Sequence, residues 1–322
     1  MTASPPPAQP RVAGVAMIRN ECDIIELFLT INLRELDYIY LLDHQSDDGT
    51  RAIIEALQGD CPNISYTYWP DKEFRQAAAV TSAVREIAAK GIFDYLVPLD
   101  ADEFLVSTVP GLSVRETLAA TLPTDRFGLV PWRTYCPVSA DYFGTRAPLH
   151  DVFRPRRVEN PQFHKVVLGN EYARQCSIGE GNHLAGHETY TTPPQALPLV
   201  LQHAPVRSPE QIIRKAVLGH HTLRLKPARG QAEGTHWDDM AALIRARGFK
   251  LDDATLTSLA LAYAAAPAAL TENAVDHAAP GIGLPTDALR FPDLARPNVL
   301  AHFDAYITQL VDRLRNLPAA QA

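Results

Sequence analysis

Apolar runs of five to seven residues alternate with stretches of helical spacing between Val12 and Leu99. Val12–Ile18, Tyr38–Leu42, Ile64–Trp69 and Tyr95–Leu99 are rich in β-branched and aromatic residues, which marks strands. After the first, Ile24, Leu27, Phe28 and Ile31 recur at i, i+3, i+4 and i+7, one face of a helix. The turn Ser46-Asp47-Asp48-Gly49-Thr50 offers N-cap residues and leads into a helix over Ala52–Leu57. Phe74, Ala77, Ala78, Thr81 and Val84 outline a longer helix that Gly91 is placed to terminate. Strands alternating with helices of this length predict a parallel α/β sheet built from βαβ units.

Charged residues recur where these strands end: Arg19 and Glu21 after the first, Asp43 after the second, Asp100 and Asp102 after the fourth. Open α/β sheets bind their ligands at the carboxyl ends of the strands. On an extended backbone, alternate side chains point the same way, so Asp100 and Asp102 are expected to face together. Two such carboxylates repel unless a cation lies between them. A hard divalent ion with oxygen ligands answers that need, and it also binds phosphate oxygens.

Three segments carry a resemblance: Met17-Ile18-Arg19-Asn20-Glu21, Leu41 to Thr50 with Asp43-His44-Gln45-Ser46-Asp47-Asp48-Gly49, and Leu99-Asp100-Ala101-Asp102-Glu103-Phe104. Together they resemble the nucleotide-sugar half of a family 2-like glycosyltransferase of GT-A fold, in the bacterial branch with an Arg-Asn-Glu motif and Asp-x-Asp followed by Glu-Phe. Phe163-His164-Lys165-Val166-Val167, Gly181-Asn182-His183 and Gln202 to Ser208 are similar to its second half, with Ala204 where an aromatic is usual. The resemblance implies a Rossmann-like, mostly parallel sheet flanked by helices, and a hexosyltransferase-type enzyme. That enzyme would take a sugar from a nucleotide-diphosphate donor to a glycan or other hydroxyl acceptor, inverting by direct displacement.

The same resemblance implies roles for individual residues. Asp43 would hydrogen-bond the base or ribose, and Arg19 and Glu21 would line that pocket. Asp100 would reach the ribose and the metal's water shell, Asp102 would ligate Mn²⁺ or Mg²⁺ directly, and His183 would be a later ligand. An imidazole among carboxylate and diphosphate oxygens suits manganese better than calcium. Lys165 is a candidate partner of the diphosphate, against the default of an exposed lysine. His164, His187 and His203 read as ordinary histidines. Direct displacement needs a base for the acceptor proton; Glu180 and Glu188 flank His183 and are the first candidates, with Asp141 and Asp151 behind them. Trp132, Arg133 and Tyr135 follow a strand-like segment where an acceptor sugar could stack.

Two other readings compete with this one. A haloacid-dehalogenase-like phosphotransferase uses a strand-end Asp-x-Asp with a nucleophilic first aspartate, but carries it after its first strand. A non-catalytic relative would bind only nucleotide or glycan.

The net charge of −7 over 322 residues argues against nucleic acid or an anionic membrane as partner. Cys22, Cys61, Cys136 and Cys176 have no Cys-x-x-Cys spacing, as expected of reduced cysteines in a cytoplasmic protein. Residues 1–10 are Pro-rich and expected to be a disordered lead, and no apolar stretch approaches the ~20 residues of a membrane span. The α/β pattern predicts a catalytic domain over residues 11–207. Beyond it, residues 208–322 read as a helical extension packed on the core. Ser208-Pro209-Glu210-Gln211 is a helix start, with Ile212, Ile213, Ala216, Val217 and His220 on one face. Helices are expected at Asp238–Arg247 and near Ala254–Ala265. A terminal stripe of Phe303, Tyr306, Ile307, Leu310, Val311 and Leu314 should pack inward.

Overall fold

The computed structural model describes residues 9–70, 75–138, 148–157, 163–189, 192–224, 235–263, 274–283 and 289–315. Most of the expected lead, together with Phe74 and Asp141, lies outside these residues. Strands β1 (Val12–Ile18), β2 (Tyr38–Asp43), β3 (Ile64–Tyr68) and β4 (Tyr95–Leu99) pair in the order β3-β2-β1-β4, all parallel. Helices α1 (Ile25–Asn32), α2 (Thr50–Asp60) and α3 (Gln76–Ala89) connect them.

All seven residues of β1 are buried, because the strand is covered on both faces. Val12, Ala16 and Ile18 join a core with Phe28 of α1 and Ile53 and Leu57 of α2. Ala13, Val15 and Met17 join a second core with Val80, Val84 and Ile87 of α3. The period of two divides one strand between two cores. Gly91, at φ +65°, stands just past the end of α3, where a left-handed residue is cheapest as glycine.

Beyond β4 the sheet becomes mixed. It continues through β8 (His164–Gly169), β6 (Phe127–Pro137), β12 (Leu199–His203) and β5 (Glu103–Ser107). β8 runs antiparallel to both β4 and β6, β12 parallel to β6, and β5 antiparallel to β12. β7 (Phe153–Pro155) and β11 (Gln195–Ala196) add to β6, while β9 (Ser177–Ile178) and β10 (Ala185–Gly186) pair apart. A parallel Rossmann-like half flanked by helices, with a helical C-terminal region, is the architecture expected from the sequence. The antiparallel insertion of β8 beside β4 is what the strand pattern did not reveal.

The helix Pro209–Arg224 starts where its cap residues place it, with the Ser208 hydroxyl accepting from the Gln211 amide at 3.2 Å. Its Ile212, Ile213 and Ala216 pack with Met240 and Ile244 of the helix Thr235–Ala246, and with Leu256 and Leu259 of Asp253–Ala262. The terminal helix Val299–Arg315 meets expectation in part. Phe303 packs partly buried against this core, whereas Ile307 and Leu300 are 58% and 80% exposed. Among its described side chains the buried one is His302. The His302 Nδ1 lies 2.7 Å from the Asp47 carboxylate, so a polar contact fixes that helix near the β2 loop. The four cysteines are free thiols. No helix of the described residues is long and apolar enough to cross a membrane.

Candidate functional site

Asp100 and Asp102 stand just past β4, but in a turn instead of on an extended strand, with the Glu103 amide donating to the Asp100 carbonyl at 3.1 Å. The expectation that the two side chains face together from an extended strand therefore needs correction, and in this structure they engage different partners. Asp100 accepts from Lys165 Nζ at 2.5 Å and from Gln76 Nε2 at 2.9 Å, and its side chain is 31% exposed. Asp102 is buried and accepts from Lys215 Nζ at 2.9 Å and Arg207 Nη1 at 3.4 Å, with His203 Nε2 3.6 Å from its other oxygen. Burial works against the charge of Asp102, but Lys215, His203 and Arg207 prevail and hold it well below the usual carboxylate range. Both acids are ion-paired; Asp102 is the buried one of the pair, and Asp100 the accessible one.

Lys165 overturns the default of an exposed lysine: its side chain is fully buried, with Glu103 3.2 Å away and Asp100 closer. Burial disfavours its ammonium, yet the two carboxylates raise its pKa and keep it charged. Glu103, the acid after the Asp-x-Asp, is fully buried as well. It accepts from Trp132 Nε1 at 2.6 Å and from the Asp100 amide at 2.9 Å. Desolvation pushes its carboxyl up to about 7 despite Lys165.

Arg207 is the organising cation. Its guanidinium is 1% exposed and donates to Asp23 through Nε (2.5 Å) and Nη2 (3.1 Å), to Glu21 through Nη2 (2.7 Å), and to the Ala204 carbonyl. The planar fork suits this bridging, which a lysine could not copy. Glu21 thus faces the site as expected, but as a partner of Arg207 and, at 3.8 Å, of Lys215. Burial raises its pKa, the two cations acting against that. Arg19 is half-buried and near enough to Asp47 to help lower the pKa of that acid, on which burial pulls the other way.

Asp43 ends β2 and is buried, with its carboxylate already engaged. It accepts from the Ser46 amide (3.0 Å), the Ser46 hydroxyl (2.5 Å) and the Tyr66 hydroxyl (2.5 Å). It therefore shapes the loop after β2 and does not present open acceptor oxygens.

His183 hydrogen-bonds the His164 carbonyl through Nδ1 at 3.0 Å and meets the Trp132 ring edge-on at 5.2 Å. Burial, and Lys165 after it, lowers its pKa. An Nδ1 donating to a carbonyl leaves the lone pair on Nε2. Gly181, at φ +65°, makes room for the ring, since a Cβ there would lie 2.6 Å from Nε2. Glu180 and Glu188, the first candidates for the base, are exposed, and among the described residues no hydrogen bond or ion pair ties either to the site. Asp151 pairs with His150 at 3.2 Å and is 56% exposed. His203, read as ordinary, stacks on Trp132 at 4.3 Å with its Nε2 toward Asp102, and Tyr263 closes on it edge-on at 5.5 Å.

Sequence reasoning missed Gln76, Asp23, Lys215 and Tyr263. Gln76 opens a helix whose start was misplaced. Asp23 precedes α1, and no local pattern sets it apart from other acids of the chain. Lys215 and Tyr263 come from the helical extension and meet the strand ends only through tertiary packing. A usable signal for Lys215 was its place beside Arg214 and Gln211 on a helix with apolar residues opposite.

Among the described residues no group of three His, Cys, Asp or Glu forms a metal cage. A Mg²⁺-like cation that also binds phosphate needs only one or two protein carboxylates. Around the Asp-x-Asp, five acids (Glu21, Asp23, Asp100, Asp102, Glu103) meet three cations (Lys165, Arg207, Lys215), so acids outnumber cations by two. The raised pKa values of Glu21 and Glu103 show the strain of that excess together with burial. A divalent cation of that kind could be held at Asp100, the more exposed carboxylate of the pair.

No protein-family model matches the chain, and no curated protein matches it. Solved structures similar to it include S. aureus TarS 1–349, at 12% identity over 74% of this chain and 72% of that one, with a TM-score of 0.35. The mannosyltransferase PcManGT from Pyrobaculum calidifontis, in complex with GDP-Man and Mn²⁺, is 20% identical over 82% of this chain and 78% of that one, at TM-score 0.35. GalNAc-T7 with UDP, GalNAc and Mn²⁺ is 8% identical over 75% of this chain and 55% of its own length, at TM-score 0.37. Likenesses at this level carry no functional argument; only the residues of the site can supply one.

Proposed function

We propose that this protein is a metal-dependent glycosyltransferase that moves a sugar from a nucleotide-diphosphate donor to an acceptor hydroxyl by direct, inverting displacement. The observation that carries the reading is the charge constellation at the carboxyl ends of β1 and β4. Glu21, Asp23, Asp100, Asp102 and Glu103 are packed with Lys165, Arg207 and Lys215, five acids against three cations. Such a site takes up a divalent cation together with a phosphorylated ligand. Asp100 would hold Mn²⁺ or Mg²⁺, with Asp102 and His183 as the further ligands that the sequence resemblance implies. Once bound, that ion supplies Lewis-acid charge to the departing nucleoside diphosphate.

The chain's own residues then have defined work. Glu103 and Lys165 fix the position of Asp100, and Glu103 also holds Trp132 by its indole N–H. Trp132, half-buried and backed by the buried His203 ring, lies beside the acids and offers a face for an acceptor ring. Asp43 and Ser46 hold the loop after β2, where the nucleoside would sit. Nothing in the site favours the phosphotransferase: Asp100, its nucleophile, is tied to Lys165 and Gln76.

Incubation with Mn²⁺ and a panel of nucleotide sugars, with assay for released nucleoside diphosphate, tests the proposal. Slow donor hydrolysis is expected in the wild type, and its loss in Asp100→Asn. Phosphate release from simple phosphomonoesters, abolished by Asp100→Asn, would overturn it in favour of phosphoryl transfer.

A further inference from the structure

The three cations of the site are not equivalent. Lys165 and Arg207 are 0% and 1% exposed, and each is fixed by two or more carboxylates at short range. Lys215 is 26% exposed, and its ammonium has one close partner, Asp102 Oδ2 at 2.9 Å, with Glu21 at 3.8 Å. It stands on a flexible four-carbon stem, in the second turn of the helix Pro209–Arg224, at the open side of the buried acid. An oxygen that accepts from an ammonium at this range has no room for a divalent ion beside it, because the two cations repel at contact distance.

We propose that Lys215 is an internal counter-ion. In the ligand-free protein it occupies the Asp102 carboxylate, and it passes to a diphosphate oxygen when nucleotide and divalent cation enter together. The inference rests on the metal–nucleotide reading above and adds a coupling to it. The cation alone must displace Lys215 from its close partner Asp102 without supplying a new one. The cation with a diphosphate gives Lys215 an anionic oxygen to move to. Metal and nucleotide then bind with positive coupling, and the coupling is reciprocal.

The test is calorimetric titration of MnCl₂ into wild type, Lys215→Met and Lys215→Arg, alone and with saturating UDP or GDP. Lys215→Met is expected to bind Mn²⁺ alone about tenfold more tightly than wild type, and to lose most of the gain that nucleotide gives, within the 5–150-fold range of ordinary couplings. Lys215→Arg keeps the charge and should bind Mn²⁺ alone as weakly as wild type. Lys215→Gln, with a polar end toward Asp102 and Glu21, repeats the measurement if the methionine variant unfolds. Equal Mn²⁺ affinity in wild type and the neutral variants, with nucleotide still enhancing it in all, overturns the counter-ion role and leaves the metal–nucleotide reading standing. No enhancement by UDP or GDP in the wild type overturns that reading and the inference with it.

Discussion

Arg207→Met should be among the most damaging single substitutions outside the apolar cores. The guanidinium is 1% exposed and is the ion-pair partner of Asp23, whose own side chain is 0% exposed. Once it is gone, Glu21 keeps Lys215 at 3.8 Å and Asp102 keeps Lys215 and His203, but Asp23 keeps no ion pair among the described residues. Removing one partner of a buried pair costs roughly 3–5 kcal/mol, because the remaining charge stays desolvated. Against a typical total stability of about 5–15 kcal/mol, that is a large share. Urea unfolding followed by circular dichroism at pH 7.5 measures it. Neutralising the stranded acid should repair part of the damage, so Arg207→Met/Asp23→Asn is expected to recover about 1–3 kcal/mol over the single variant. A loss below about 1 kcal/mol, or a double variant no more stable than Arg207→Met, would refute the view that Arg207 neutralises the buried strand-end acids.

Two further outcomes are expected. Glu103 has its pKa pushed from 4.5 to about 7, so as pH rises the unfolded chain releases this proton first and the folded state binds more protons; wild-type stability should then fall by about 3 kcal/mol from pH 4.5 to 7. Urea midpoints across that window should lose this slope in Glu103→Gln, and parallel profiles would exclude a protonated Glu103 from the folded site. Asp43→Ala leaves the Ser46 and Tyr66 donors without their acceptor, at a cost of about 1–3 kcal/mol in stability. It should also weaken UDP or GDP binding without changing the Mn²⁺ requirement, and unaltered affinity in calorimetry would mean that the β2 loop does not border the nucleotide.

What could be read from the chain divides by the range of the interactions involved. β1 through β4 and α1 through α3 are each specified by a local pattern, and the double-sided burial of Val12–Ile18 and Tyr95–Leu99 shows in their unbroken apolar runs. The strand-end positions of Glu21, Asp43, Asp100 and Asp102 come from those elements alone. The partners of these acids did not, because a parallel sheet brings residues from distant segments to one edge. Asp100 meets Lys165 across 65 positions and Asp102 meets Lys215 across 113. The direction of the two Asp-x-Asp side chains was misread for a local reason. Strand alternation was carried past Leu99, where the backbone turns to start β5. The terminal stripe misled in a different way. Its spacing identified a helix, but periodicity does not say how much of a face is covered: Phe303 packs against the helical core while Ile307 stays outside.

The change in pattern near residue 207 invites a division into a catalytic half and an appended helical half, and charge argues against dividing the chemistry there. Glu21, Asp23, Asp48 and Asp102 all belong to the first hundred or so residues, and the cations paired with them are Arg207, Arg214 and Lys215. Without those three side chains, His203 is the one described ion-pair partner left to any of the four acids. Buried carboxylates in that state take up protons instead of staying ionised, and protonated acids do not hold a divalent cation. We infer that the helix Pro209–Arg224 is a wall of the site and that the strand ends become a metal-ready surface only when it is docked. The sequence boundary marks where strands give way to helices, while the site itself is built across it.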